Sequence, residues 1–186
     1  MDNLCLDLNI TLSLFKPEID WRQFKTKQVS LDIPQVINPD LLKLFKDNFI
    51  YVYHMSAFYL PPNHTGGGIH IDQSDWKKAD PGDYTKINWI FGGKDSTMNW
   101  YSINSGADGV LNVTGADTLY RAYAPNEVTH IHSQSVGHPS LVQTGVPHDI
   151  TNLYEDRLCI SASFTRSTWA TQPTWKDSLK LLNSFL

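Results

Sequence analysis

Gly66-Gly67-Gly68-Ile69-His70-Ile71-Asp72 is the stretch whose reading decides the fold. A histidine and an acid two residues apart, inside an alternating apolar run, fall on one face of a β-strand, because successive strand side chains point to opposite sides. Two such groups can grip one metal ion from one side. A second imidazole delivered from elsewhere completes a set of two histidines and one carboxylate, which suits non-haem Fe(II) and leaves coordination positions open. The three glycines ahead of the pair permit backbone angles closed to other residues, or the close approach of a ligand. A flexible turn and a mobile lid are both consistent with them.

Around this stretch the chain reads as strands. Ile50 to Leu60 is aromatic and β-branched and stops at Pro61-Pro62-Asn63. Gln73 to Thr85, with Asp80-Pro81-Gly82-Asp83, reads as a loop. Further strands are predicted over Lys86 to Phe91, Met98 to Ile103, Leu119 to Ala124, Val128 to His132, Ser140 to Asn152 and Arg157 to Thr165. The turn signals Gly92-Gly93, Ser105-Gly106 and Pro125-Asn126 punctuate them. Short strands at near-regular spacing imply a mainly β sandwich or barrel with flanking helices. Upstream, Leu4, Leu6 and Leu8, then Ile10, Leu12 and Leu14, keep strand periodicity, with Pro17 and Pro34 as breaks. Asn38-Pro39-Asp40 opens a helix that should run to about Asn48 and bury Leu41, Leu44 and Phe45. At the other end Thr174 caps a helix with Leu179, Leu182 and Phe185 on one face. No repeat or linker divides the chain. The expectation is a single domain, in which residues 1–48 support a core at 49–166 and 174–186 form a C-terminal helix.

Composition narrows the function classes. The chain has 186 residues, 41% hydrophobic and 18% charged, enough to bury one substantial core. A net charge of −4 gives no electrostatic case for nucleic acid or an anionic membrane. No apolar run approaches the roughly 18 residues that span a bilayer, and Asp2 and Asp7 leave the N-terminus without the basic region of a secretory signal. These features predict a soluble cytoplasmic protein. Cys5 and Cys159 stand far apart in sequence and read as two buried thiols or one long-loop disulfide.

A partner for the His70/Asp72 pair lies far downstream. His148 sits in the strand-like run Ser140 to Ile150, and shortly after it Arg157 opens another. There Arg157, Cys159, Ser161 and Ser163 face one way, and Leu158, Ile160, Ala162 and Phe164 the other. An arginine on the side of small, weakly polar residues suggests a guanidinium deep in a pocket, where its planar fork matches a carboxylate.

In this order, His70-Ile71-Asp72, His148 and Arg157 resemble the Fe(II)- and 2-oxoglutarate-dependent oxygenases, in particular their prolyl-hydroxylase-like branch. The resemblance runs from about Tyr51 to Phe164. It implies a double-stranded β-helix, a jelly-roll of two packed sheets. In it His70 and Asp72 come from the second core strand, His148 from the seventh and Arg157 from the eighth. His70, Asp72 and His148 are then the iron ligands, and Arg157 binds the distal carboxylate of 2-oxoglutarate. O₂ is the oxidant, ascorbate a candidate reductant, and succinate, CO₂ and a hydroxylated product leave. Because halogenating relatives lack the carboxylate ligand, Asp72 argues for hydroxylation. Many relatives carry a serine two residues after the arginine; here that residue is Cys159, a poorer donor. A second donor to the cosubstrate must therefore come from elsewhere, and Tyr59, Asn88, Tyr101 and Thr144 are the inward-facing candidates. The substrate is an unidentified peptidyl side chain or small molecule, and the oligomeric state is open.

Two rivals follow from the same residues. His130-Ile131-His132, with His138 nearby, resembles the His-X-His of cupins, but too little chain separates it from His148 for a barrel to return to one metal. On that reading the enzyme works without 2-oxoglutarate. The other rival is a non-catalytic jelly-roll binding module. Trp76, Trp89 and Trp100 are read either as lining a substrate mouth or as aromatic core.

Overall fold

The computed structural model describes residues 3–25, 28–73, 84–114, 119–137, 139–152, 154–167 and 172–186, with the backbone alone at 65 and 73. The chain is mostly strand. In order come β1 (Cys5–Asp7), β2 (Gln28–Ser30), the short helices α1 (Ile33–Val36) and α2 (Pro39–Asp47), and then β3 (Tyr51–Leu60). They are followed by β4 (His64–Gln73), β5 (Thr85–Gly92), β6 (Thr97–Ile103), β7 (Val110–Val113), β8 (Leu119–Ala122) and β9 (Val128–Ser135). The series closes with β10 (Ser140–Gln143), β11 (His148–Asn152), β12 (Arg157–Thr165) and α3 (Trp175–Leu181).

These strands make two six-stranded sheets. One has the order β1-β10-β5-β12-β3-β2 and the other β7-β8-β4-β11-β6-β9, with every pairing antiparallel. From β3 to β6, and again from β9 to β12, each successive strand crosses to the other sheet. Strands β7 and β8 form a hairpin that adds to the second sheet next to β4.

The alternation read in β12 is the one observed. Leu158, Ile160, Ala162 and Phe164 join the main core with Met55, Ala57, Ile87 and Trp89 of the neighbouring strands. That apolar face is covered from both ends of the chain, by Leu8, Ile10, Leu14, Phe15, Ile37, Leu41 and Phe45 and by Leu182 and Phe185. Helix α2 begins as its sequence predicts. The Asn38 side chain accepts from the Asp40 N–H, Pro39 occupies the first turn, and Leu41 and Phe45 are buried. Thr174 likewise caps α3 by accepting from the Asp177 N–H. Opposite residues of β12 face the second sheet. Between the sheets Cys5, Met98, Trp100, Val136 and Val142 close one side. Cys5 and Cys159 are separate buried thiols.

One expectation is corrected and one strand is added. Ser140 to Asn152 is two strands in different sheets, β10 and β11, because the chain turns between Gln143 and His148. The hairpin strand Val110–Val113 went unpredicted, its short run being half exposed and weakly patterned. Of the two readings of Trp89 and Trp100, aromatic core is the one observed. The loop expected from Gln73 to Thr85, with Trp76, falls almost wholly outside the described residues, as does His138. Among the described residues no helix is long and apolar enough to cross a membrane.

Candidate metal centre

β4 and β11 are neighbours in the second sheet, and their register places His148 opposite His70. The rings come together with centroids 4.6 Å apart, and His70 Nε2 lies 3.8 Å from Asp72 Oδ1. One ligand atom from each of His70, Asp72 and His148 lies within 4.8 Å of the others. Among the described residues no other trio of metal-ligating side chains converges in this way.

The tautomers are set by the backbone. His70 Nδ1 donates to the Gly68 carbonyl at 2.8 Å, and His148 Nδ1 donates to the Val146 carbonyl at 2.8 Å. Each Nε2 is thereby left as a lone-pair donor aimed at the common point, the outer-shell device that orients metal-binding imidazoles. The glycines explain the first of these bonds. Gly67 (φ 60°) and Gly68 (φ 76°) are left-handed, and the β4–β11 register shifts between His148 and Ile150. They form a bulge inside a continuous strand, neither a free turn nor a lid, and the bulge turns the Gly68 carbonyl towards the imidazole two residues on.

Electrostatics agree with this arrangement. Burial pushes the Asp72 carboxyl up, but the Lys86 ammonium and the two imidazoles outweigh it and hold it at about 2. Burial, and then His70, pull His148 down to about 4, so it is a neutral ligand at ordinary pH. Two imidazoles and one carboxylate are the donor set of a divalent first-row ion with open positions, and the residues fit such an ion.

The triad opens into a cavity of about 770 Å³ between the sheets. Arg157 lines it, 4% exposed, with Nε donating to Ser96 Oγ at 3.0 Å. Glu155 and Asp156 do not pair with it. The Glu155 carboxylate accepts from the Lys94 N–H, and Asp156 accepts from Lys25 at 2.6 Å and from the Tyr59 hydroxyl at 2.5 Å. Among the described residues Arg157 therefore has no carboxylate partner, and burial lowers its pKa, with Cys159 opposing. Asn88 and Thr144 also line the cavity, and Asn88 Oδ1 and Thr144 Oγ1 are buried without a partner among the described residues. Tyr59 stands at the rim with its hydroxyl committed to Asp156. Tyr101 points to the far face of the second sheet, where it packs near Ile71 and donates to Asp149 at 3.1 Å.

His130 and His132 stay apart from the triad. His130 is exposed and meets Ser133 Oγ at 2.8 Å, and His132 stacks on Trp100 at 5.7 Å. One residue was missed. Lys86, 7% exposed, reaches across from β5 and places Nζ 2.9 Å from Asp72 Oδ2. Strand alternation held the signal, because Lys86 shares a face with the inward candidate Asn88. Searches against protein-family models and against curated proteins return no match for this chain.

Proposed function

We propose that this chain is an Fe(II)- and 2-oxoglutarate-dependent oxygenase that hydroxylates a peptidyl side chain or small molecule. The observation that carries the reading is the joint placement, in one cavity, of a locked two-histidine, one-carboxylate set and a buried arginine without a carboxylate partner. We infer also that the two sheets are the halves of a double-stranded β-helix. The alternation of β3 to β6 and β9 to β12 between sheets, with β4 beside β11 and β12 beside β3, supports that finer description.

His70, Asp72 and His148 would hold the ion through two Nε2 atoms and one carboxylate oxygen. Bound there, the iron supplies the one chemistry the side chains lack, activation of O₂ coupled to oxidative decarboxylation of the 2-oxo acid to succinate and CO₂. Arg157 holds the distal carboxylate of the dicarboxylic acid in a low-dielectric pocket, where a charge-assisted pair is strong. The Thr144 hydroxyl would donate to the same ligand, in place of the serine that Cys159 replaces, and Asn88 lines the same cavity. Phe58, Leu60, Met98 and Ile150 give the cavity apolar walls that exclude water and orient the substrate.

The test is succinate formation from 2-oxoglutarate with Fe(II) and ascorbate, compared in wild type, His70→Ala and Arg157→Met. Iron-dependent succinate that His70→Ala abolishes and Arg157→Met strongly reduces supports the reading. Iron-dependent turnover indifferent to Arg157 would move the chain to metal enzymes that do not use 2-oxoglutarate. No iron-dependent turnover with any substrate would leave a binding module.

A further inference from the structure

Lys86 has no place in the scheme above, yet among the described residues it is, with Arg157, one of two buried Lys or Arg side chains. It extends from the first sheet into the cavity and holds Asp72 Oδ2 at 2.9 Å, while Asp72 Oδ1 faces His70 Nε2. The described walls of the cavity carry three cationic side chains, Lys25, Lys86 and Arg157, but a single carboxylate, that of Asp72. Lys25 is matched at the rim by Asp156. The interior is thus already neutralised at Asp72 by Lys86, and Arg157 adds an unmatched positive charge.

A divalent ion entering this site meets an ammonium on the other oxygen of its own carboxylate ligand. Repulsion between charges a few ångströms apart in a buried site is large, and a dianion placed between ion and guanidinium relieves it. Resting on the metal-centre reading, we propose that Lys86 is a positioning residue. It holds Asp72 as a one-oxygen ligand and makes metal binding at His70, Asp72 and His148 depend on a dianionic co-ligand seated towards Arg157. The coupling is reciprocal: whatever the dianion adds to metal affinity, the metal adds to affinity for the dianion.

The experiment is titration with Mn(II), read by the electron paramagnetic resonance of the free ion. Wild type, Lys86→Met, Lys86→Arg and His70→Ala are compared, each without and with saturating 2-oxoglutarate. Methionine keeps the length of lysine without its charge, and thermal denaturation checks that each variant is folded. In wild type 2-oxoglutarate should tighten Mn(II) binding at least about tenfold, a typical size for a coupling between sites. In Lys86→Met, Mn(II) alone should bind about tenfold more tightly than to wild type, from the relieved repulsion. The gain from 2-oxoglutarate should shrink severalfold, and Lys86→Arg should behave as wild type. Should Lys86→Met bind Mn(II) no more tightly, with an undiminished gain from 2-oxoglutarate, while His70→Ala abolishes binding, the coupling role falls and the metal centre stands. Mn(II) binding indifferent to His70 in every protein would overturn both.

Discussion

Two segments of this protein carry a histidine, an isoleucine and a second residue of a type that can ligate metal in succession on a strand: His70-Ile71-Asp72 on β4 and His130-Ile131-His132 on β9. Spacing makes them equivalent, and the fold does not. β4 lies inside the second sheet between β8 and β11, whereas β9 is its edge. Ile71 is fully buried under Tyr123 and Val128, and Ile131 is 41% exposed. The inner strand gains His148 from β11 directly opposite His70, while the edge strand has only β6 beside it, which offers Trp100 and Tyr101. Period two decides which side chains share a face. Only the neighbouring strand decides whether that face can hold a metal ion.

The sharpest way to break this comparison is to remove each histidine in turn. His70→Ala or His148→Ala should lower iron-dependent succinate formation by more than the 10–100-fold that loss of an outer-shell partner costs. His130→Ala and His132→Ala should leave it unchanged. Equal losses in the two pairs would mean that the β9 histidines take part in the chemistry. The isoleucines test the same contrast in stability. Ile71→Ala should cost about 2–5 kcal/mol in urea denaturation, as for other fully buried isoleucines, and Ile131→Ala should stay within about 0.5 kcal/mol, as surface changes do.

Acid sharpens the comparison further. His148 titrates at about 4 in the folded chain, because burial and then His70 disfavour its charged form, against 6.5 for an ordinary histidine. Between those values the unfolded chain binds the extra proton, so stability falls as pH is lowered through this window. The loss for the metal-free protein should be on the order of 2–3 kcal/mol, since each pKa unit is worth about 1.36 kcal/mol. Denaturation midpoints from pH 7 to pH 4 should show that slope in wild type and in His130→Gln, and a shallower one in His148→Gln. Asp72, held at about 2 against an ordinary 3.8, adds its own acid-side loss only at the bottom of this range and below it, so the slope between about pH 6.5 and 5 isolates His148.

Much of this was legible in the chain, for identifiable reasons. The strands from Ile50 onwards, the cap at Asn38 and the two faces of β12 follow from local alternation and capping chemistry, which need no knowledge of neighbours. The ordered set His70, Asp72, His148 and Arg157 stood out through its resemblance to a known family, and the fold brings all four residues to one cavity. What escaped depends on contacts across space. The division of Ser140 to Asn152 between two sheets is set by pairing with β5 on one side and with β4 and β6 on the other. Tyr101 was read as inward, but on β6 it shares the parity of Asn99, opposite to the buried Met98 and Trp100, and with Asn99 it meets Asp149 on the far face. Lys86 read as an ordinary strand residue because nothing local says that a lysine on β5 will meet an aspartate on β4.

The smallest expected effect isolates what the bulge contributes. Gly68 (φ 76°) sits where an added Cβ meets nothing within 4 Å, and the same holds for Gly106 (φ 82°) in the turn after β6. Alanine at either position carries only the left-handed backbone penalty, about 1–2 kcal/mol. The two substitutions should therefore lower stability by similar amounts. They should differ at the metal. Gly68 supplies the carbonyl that fixes His70 Nδ1, so relaxation of its backbone loosens the imidazole and should weaken Mn(II) binding severalfold, whereas Gly106→Ala leaves binding as in wild type. Equal Mn(II) affinities in two equally destabilised variants would reduce the glycine pair to a bend in a strand. Unequal ones would show that β4 differs from β9 in its backbone as well as in its neighbours.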